Sequence, residues 1–174
     1  MIFLHGTLIM HRGAIGKSRE EVIQQVINQE GSVRDFANYV PVGGAVDKLS
    51  KWVEQGAEIS YLSALTENKK ARGDELVGKE GLKADEMILE KYGFPKGEIY
   101  HRGVGEDYRD VVERMTPFPN ILIEDDCESI GGEVEMTHPN LKSELKEKIK
   151  SIVVKEFTGI DNLPDGLKDL SEFS

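Results

Sequence analysis

Glu124, Asp125, Asp126 and Glu128 place four acids within five residues, directly after the apolar run Ile121-Leu122-Ile123. Carboxylates this close either hold a cation or raise one another's pKa in a cleft; the plain alternative is a solvated loop that caps the next helix. His5, with His11 nearby, adds nitrogen to the oxygens of Asp125 and Asp126, a donor mix that zinc or manganese accepts, whereas magnesium asks for more oxygen. No His-x-x-x-His spacing puts two imidazoles on one helical face, and His101 and His138 read as ordinary strand-end and helix-cap neighbours. A second chemistry is anion binding. The amides around Gly6 and Thr7, the hydroxyls of Thr7 and Ser63 and the guanidinium of Arg109 are donors able to hold a phosphate, unless Gly6 merely makes a tight turn and the hydroxyls cap helices. Nucleophilic catalysis is poorly supplied. Cys127 has acidic neighbours that raise a thiol pKa, and Ser63 has no base beside it in sequence. Gly131-Gly132 is too short for a dinucleotide fingerprint.

These groups need elements to position them, and the apolar pattern supplies a regular alternation. Met1 to Leu4 reads as a strand buried on both faces that ends at Gly6. Ser18-Arg19-Glu20-Glu21 is a capping box, followed by a helical stripe of Val22, Ile23, Val26 and Ile27 that ends near Gly31. A short helical turn is expected from Asp35 to Val40, then a helix through Val46, Leu49, Trp52 and Val53 stopped by Gly56, then a strand from Ala57 to Ser63. Thr66 to Leu82 is polar and predicts a frayed helix and a loop. Asp85 is placed to cap a helix with Ala84, Met87, Ile88 and Tyr92 on one side, before a short strand from Glu98 to His101. Tyr108, Val111, Val112 and Met115 mark the next helix, and Asn120 to Ile123 the next buried strand. A last long helix from Thr137 carries Leu141, Leu145 and Ile149 inward, and Ser151 to Val154 is the final strand.

Strands alternating with helices imply parallel pairing by right-handed crossovers, hence a single three-layer Rossmann-like α/β domain with ligands at the carboxyl ends of its strands. The long insertion of roughly residues 10 to 42 is the expected small cap over the sheet edge. His5-Gly6-Thr7, Ser63 and Glu124-Asp125-Asp126 then converge at that edge. In this order the chain resembles, over nearly its whole length, the haloacid dehalogenase superfamily. The family's first motif is Asp-x-Asp-Gly-Thr, its second a Ser or Thr, its third a Lys or Arg, its fourth an acidic pair. Phe3-Leu4-His5-Gly6-Thr7 falls on the first, Ile59 to Ser63 on the second, Ile121 to Asp126 on the fourth, and Arg109 or Arg102 on the third. The resemblance departs where the chemistry starts. Phe3 stands where the family has its nucleophilic aspartate and His5 where it has the acid/base aspartate. A phenyl ring has no lone pair with which to attack phosphorus, so the family's aspartyl-phosphate cannot form at Phe3.

Composition narrows the partners. Lys and Arg number 22 and Asp and Glu 32, a net charge of −10, which disfavours an electrostatic grip on nucleic acid. One cysteine excludes an internal disulfide framework, and no run reaches the roughly 18 apolar residues needed to span a bilayer. Met1 to Ile9 lacks a basic leader and reads as a strand instead of a signal peptide, so a cytoplasmic protein is expected. The Val22 to Ile27 stripe is expected to pack on the sheet, with a homodimer face as the alternative. The function expected from all this is a catalytically degenerate haloacid-dehalogenase-like protein that binds a phosphorylated or anionic small molecule, or a protein partner. Its rival is a phosphatase or other hydrolase in which His5, Asp125 and Asp126 hold a divalent metal, magnesium, manganese or zinc, that activates water directly.

Overall fold

The computed structural model describes residues 1–66, 79–126 and 136–173, with only the backbone course of 79–81. Five short apolar runs become one parallel sheet: β1 (Ile2–Phe3), β4 (Ser60–Thr66), β5 (Glu98–Arg102), β6 (Ile121–Asp125) and β7 (Lys150–Val154). The order across the sheet is β5-β4-β1-β6-β7, with β1 in the centre. Ile2 pairs with Tyr61 on one side and with Ile123 on the other. The chain winds outward from β1 through β4 to β5, then returns to the far side of β1 for β6 and β7. The order therefore reverses between β1 and β6, the place where a Rossmann-like sheet leaves a crevice above its carboxyl ends.

Alternation along the strands builds a core on each face. Ile2, Leu4, Tyr61, Ile123 and Ile152 pack on one side with Leu49 and Trp52 of α3 (Ala45–Glu54), Ile88 and Leu89 of α4 (Lys79–Tyr92), and Leu170 of α8 (Leu167–Glu172). Met1, Phe3, Leu62 and Leu122 pack on the other with Tyr108, Val111 and Val112 of α5 (Tyr108–Glu113) and with Leu141 and Ile149. The end of α3 follows from Gly56. At φ +97° it accepts the left-handed turn that lets the Gly56 and Ala57 amides donate to Val53 and Trp52. Among the described residues no helix is long and apolar enough to cross a membrane.

An antiparallel pair, β2 (Ile9–Met10) and β3 (Val40–Pro41), follows the first strand and bounds an excursion of the chain. It contains α1 (Arg19–Ile27), α2 (Gly31–Arg34) and two 3₁₀ turns, Arg12–Ala14 and Phe36–Asn38. The capping box forms as expected: Glu21 N donates to Ser18 Oγ and Ser18 N to Glu21 Oε2. Of its apolar stripe Val22 is buried, while Ile27 is 51% exposed.

Three expectations need correction. The expected helix from Thr137 to Ile149 is two short ones, α6 (Thr137–Asn140) and α7 (Ser143–Lys146). Leu141 and Lys142 between them are extended, with Lys142 held to Glu113 by both its amide (2.9 Å) and its ammonium (2.7 Å). Asp85 lies inside α4 instead of capping it, because the helix begins earlier, at Lys79. The second long strand runs over Ser60–Thr66 where Ala57 to Ser63 was expected. The loop read between Thr66 and Leu82 falls largely on 67–78, outside the described residues, as do Cys127, Glu128 and the Gly131-Gly132 stretch.

Candidate functional site

The crevice between β1 and β6 is bridged by Thr7, whose hydroxyl donates to Asp125 Oδ2 at 2.7 Å. Both residues are buried. The turn that presents Thr7 depends on Gly6, at φ +82°. A Cβ there would stand 2.8 Å from Glu156 Cγ, 2.9 Å from Glu156 Oε1 and 3.1 Å from Asp125 Oδ2, so the backbone approaches two acids more closely than a side chain permits. The Gly6 amide donates to Ile9 O, and Gly6 O accepts from Phe157 N at 2.7 Å.

The acidic run does not act as one cluster, because successive strand residues face opposite ways. Glu124 points to the α6 side and accepts from the amides of Thr137 (2.6 Å) and His138 (2.9 Å). Asp125 takes Thr7. Asp126 Oδ1 accepts from Glu156 N (2.7 Å) and from Arg19 Nη2 (3.0 Å), while Arg19 Nε donates to Glu156 O (3.0 Å). Arg19 thus reaches from the excursion across the carboxyl ends of β6 and β7. Neither Arg19 nor Glu156 was singled out from the sequence. Glu156 had a usable signal, since it follows the last strand at the same edge.

His5 turns the other way. Its Nδ1 accepts from Ala64 N (3.2 Å), and Nε2 lies 3.0 Å from Asp85 Oδ1, an ion-pair distance without the alignment of a hydrogen bond. Ser63 Oγ donates to the second oxygen, Asp85 Oδ2, at 2.6 Å and accepts from Leu65 N. The His5 ring stands edge-on to Phe36 and Tyr39, 5.8 and 5.6 Å between centroids, which seals this group under the excursion. A nucleophile, base and acid in sequence would have the imidazole between hydroxyl and carboxylate. Here the carboxylate is in the middle: the Ser63 hydroxyl donates to Asp85, and no imidazole stands in position to take its proton. Asp85 was legible in one respect: with Ala84, Ile88, Leu89 and Tyr92 it occupies the inner face of α4, a charge interrupting an apolar stripe.

Phe3 ends β1 with its ring buried, 5.0 Å from that of Tyr108 and nearly perpendicular to it. The Arg102 guanidinium lies over the other partner, 4.2 Å from the Tyr108 ring centroid, and Nη2 donates to Ala64 O at 3.1 Å. Arg102 Nε is buried and has no hydrogen-bond partner among the described residues. Of the two basic residues considered for the third motif, Arg102 therefore stands at the carboxyl edge. Arg109 is 46% exposed and lies 3.7 and 3.9 Å from Asp107 and Asp110 at the start of α5.

The proposed metal ligands are drawn apart, His5 toward Asp85, Asp125 toward Thr7 and Asp126 toward Arg19. Among the described residues no three His, Cys, Asp or Glu side chains gather closely enough to hold a metal ion. His11 is buried and bonded to Gln25 (3.0 Å), and His138 Nε2 is 3.0 Å from Ile149 O. No protein-family model matches the chain, and neither a curated protein nor a solved structure is significantly similar to it.

Proposed function

We propose that the chain is a haloacid-dehalogenase-like protein that has lost covalent phosphoryl transfer and binds an anionic small molecule at the carboxyl edge of its sheet. The observation that carries this is Phe3. Its ring fills the end of the central strand and packs on Tyr108, leaving no attacking oxygen at that position. Support for the kinship is positional: His5-Gly6-Thr7 follow β1 and Asp125-Asp126 end and follow β6, while Ser63 lies within the adjacent β4.

The donors assigned to the anion change. The hydroxyls of Thr7 and Ser63 are given to Asp125 and Asp85, and Arg109 lies beside Asp107 and Asp110, so Arg102 becomes the anchor. A guanidinium already stacked on a ring and bonded through Nη2 loses little freedom on taking an oxyanion at Nε, and a charge-assisted bond of this kind contributes about 1.5–3 kcal/mol. Titration calorimetry with inorganic phosphate and simple phosphate monoesters tests it. Arg102→Ala should weaken binding by roughly tenfold or more and Arg109→Ala should leave it unchanged. Absence of binding in the unaltered protein, or equal binding in both variants, would refute the assignment.

One observation favours the metal-hydrolase rival: Asp125 and Glu156 both approach the space beside Gly6. That reading would set Glu156 beside Asp125 in place of His5 and Asp126. Stoichiometric magnesium, manganese or zinc in elemental analysis of the purified protein would favour it.

A further inference from the structure

We propose that His5 is a positioning residue, which holds the carboxyl end of β4 in a bulge and through it aims the Arg102 guanidinium. The bulge shows in the register. From Leu62 to Thr66 β4 advances four residues, while opposite it β5 advances two, from Tyr100 to Arg102. A bulge strands backbone groups that a regular ladder would pair, and a buried amide without an acceptor is costly. Side chains take these groups up. Leu65 N donates to Ser63 Oγ, and Ala64 O accepts from Arg102 Nη2.

The Ala64 amide is the informative one. Leu4 N donates to Leu62 O (2.9 Å), and in a regular parallel ladder Leu4 O would answer by accepting from Ala64 N. That oxygen is already taken, because the turn carrying Gly6 and Thr7 brings the amides of Leu8 (2.9 Å) and Ile9 (3.0 Å) onto it. The next residue, His5, supplies a substitute acceptor, Nδ1 at 3.2 Å. A ring nitrogen that accepts carries no proton, so the neutral imidazole holds its proton on Nε2, which stands 3.0 Å from Asp85 Oδ1. Asp85 therefore favours the tautomer that Ala64 needs. Its other oxygen takes the Ser63 hydroxyl, so one buried carboxylate orients both side chains that accept the bulge's amides. Ala64 thus has its amide on His5 and its carbonyl on Arg102. The guanidinium is held between that carbonyl and the Tyr108 ring, with Nε buried and unbonded among the described residues. Loss of the acceptor at His5 releases Ala64, and with it one of the two contacts that aim Nε.

That Nε so aimed takes an oxyanion rests on the reading of Arg102 as the anchor; the positioning does not. Two substitutions separate it from mere filling of space. His5→Leu keeps an apolar group against Phe36 and Tyr39 but has no acceptor, whereas His5→Asn loses the ring and carries Oδ1 close to where Nδ1 stood. Solution NMR of the full chain without ligand reads the exchange of the Ala64 amide and the mobility of the Arg102 Nε–H. In His5→Leu the exchange should rise by about tenfold or more and the mobility increase, and in His5→Asn both should stay near those of the unaltered protein. The reverse ranking, or equal Arg102 mobility in all three proteins, would overturn the proposal. So would a rise in His5→Leu shared equally by the amides of β6, which would make His5 a support of the whole fold. The unaltered protein gives a reading that no misfolded variant can spoil: ring-nitrogen NMR should find the His5 proton on Nε2 alone, and a proton on Nδ1 would break the series of contacts at its first link. Titration with inorganic phosphate reads the consequence. His5→Leu should bind about three- to tenfold more weakly than His5→Asn, and equal binding by the two would overturn the link to the site. If the unaltered protein binds no phosphate while Arg102 mobility still follows the acceptor at position 5, the anchor reading fails and the positioning stands.

Discussion

The two polar groups at the carboxyl edge are closed in different ways. His5, Asp85 and Ser63 form a sealed set in which Asp85 is 1% and Ser63 0% exposed, with aromatic rings across the opening. Arg19, Asp126 and the Glu156 backbone form a set that solvent reaches. A sealed charge cannot exchange its partner for water, so its loss is expensive and its role is to fix geometry. A wet pair exchanges easily, so its loss is cheap. The carboxyl edge therefore combines a buried inner floor with a solvent-exposed outer rim, and Thr7 with Asp125 lies between them.

The largest effect expected is Asp85→Ala, which removes the acceptor of Ser63 and the counter-group of His5 together. We expect a loss of about 3 kcal/mol or more in urea unfolding. A loss below about 1 kcal/mol would erase the distinction between floor and rim. Gly6→Ala comes next, at about 2 kcal/mol, because it adds left-handed strain to a collision with Glu156. Thr7→Val keeps shape and removes one donor from a buried carboxylate, and should cost about 1–2 kcal/mol. If it matched Asp85→Ala, the Thr7–Asp125 bridge would belong to the floor.

A control outside both groups sharpens the contrast. Lys48 and Lys51 hold the exposed Asp165 carboxyl down from 3.8 to about 2, chiefly by hydrogen bonds. Its folded pKa is the lower, so its small stabilising effect is present above about pH 4 and is lost as pH falls through about 2. The stability difference between the unaltered protein and Asp165→Asn should accordingly shrink over that range. Smallest of all, Arg109→Ala should change stability by no more than about 0.5 kcal/mol.

What was legible in the sequence was local. The strand–helix alternation, the Ser18–Glu21 box and the stop at Gly56 each depend on residues within one or two turns, and each is present. The site was legible in the polar residues after β1 and at the end of β6, but not in the place of Ser63, which lies within β4, nor in who partners whom. Arg19 meets Asp126 across 107 positions and His5 meets Asp85 of α4, and neither pairing has a sequence period. Arg102 and Arg109 differ by only seven positions, yet one stacks on the buried Tyr108 ring and the other is half exposed beside Asp107 and Asp110. That choice is made by the direction of a strand end against that of a helix. The break at Leu141 escaped for a similar reason, since Lys142 is held by Glu113 of a different helix.

The Phe3→Asp, His5→Asp double variant is a poor test of lost chemistry, because it would bury a carboxylate against the Tyr108 ring. Turnover in the unaltered protein is more direct. With a generic phosphate monoester and magnesium, manganese or zinc supplied in turn, the account predicts no hydrolysis above that of the metal alone. Metal-dependent hydrolysis abolished by Asp125→Asn would contradict it.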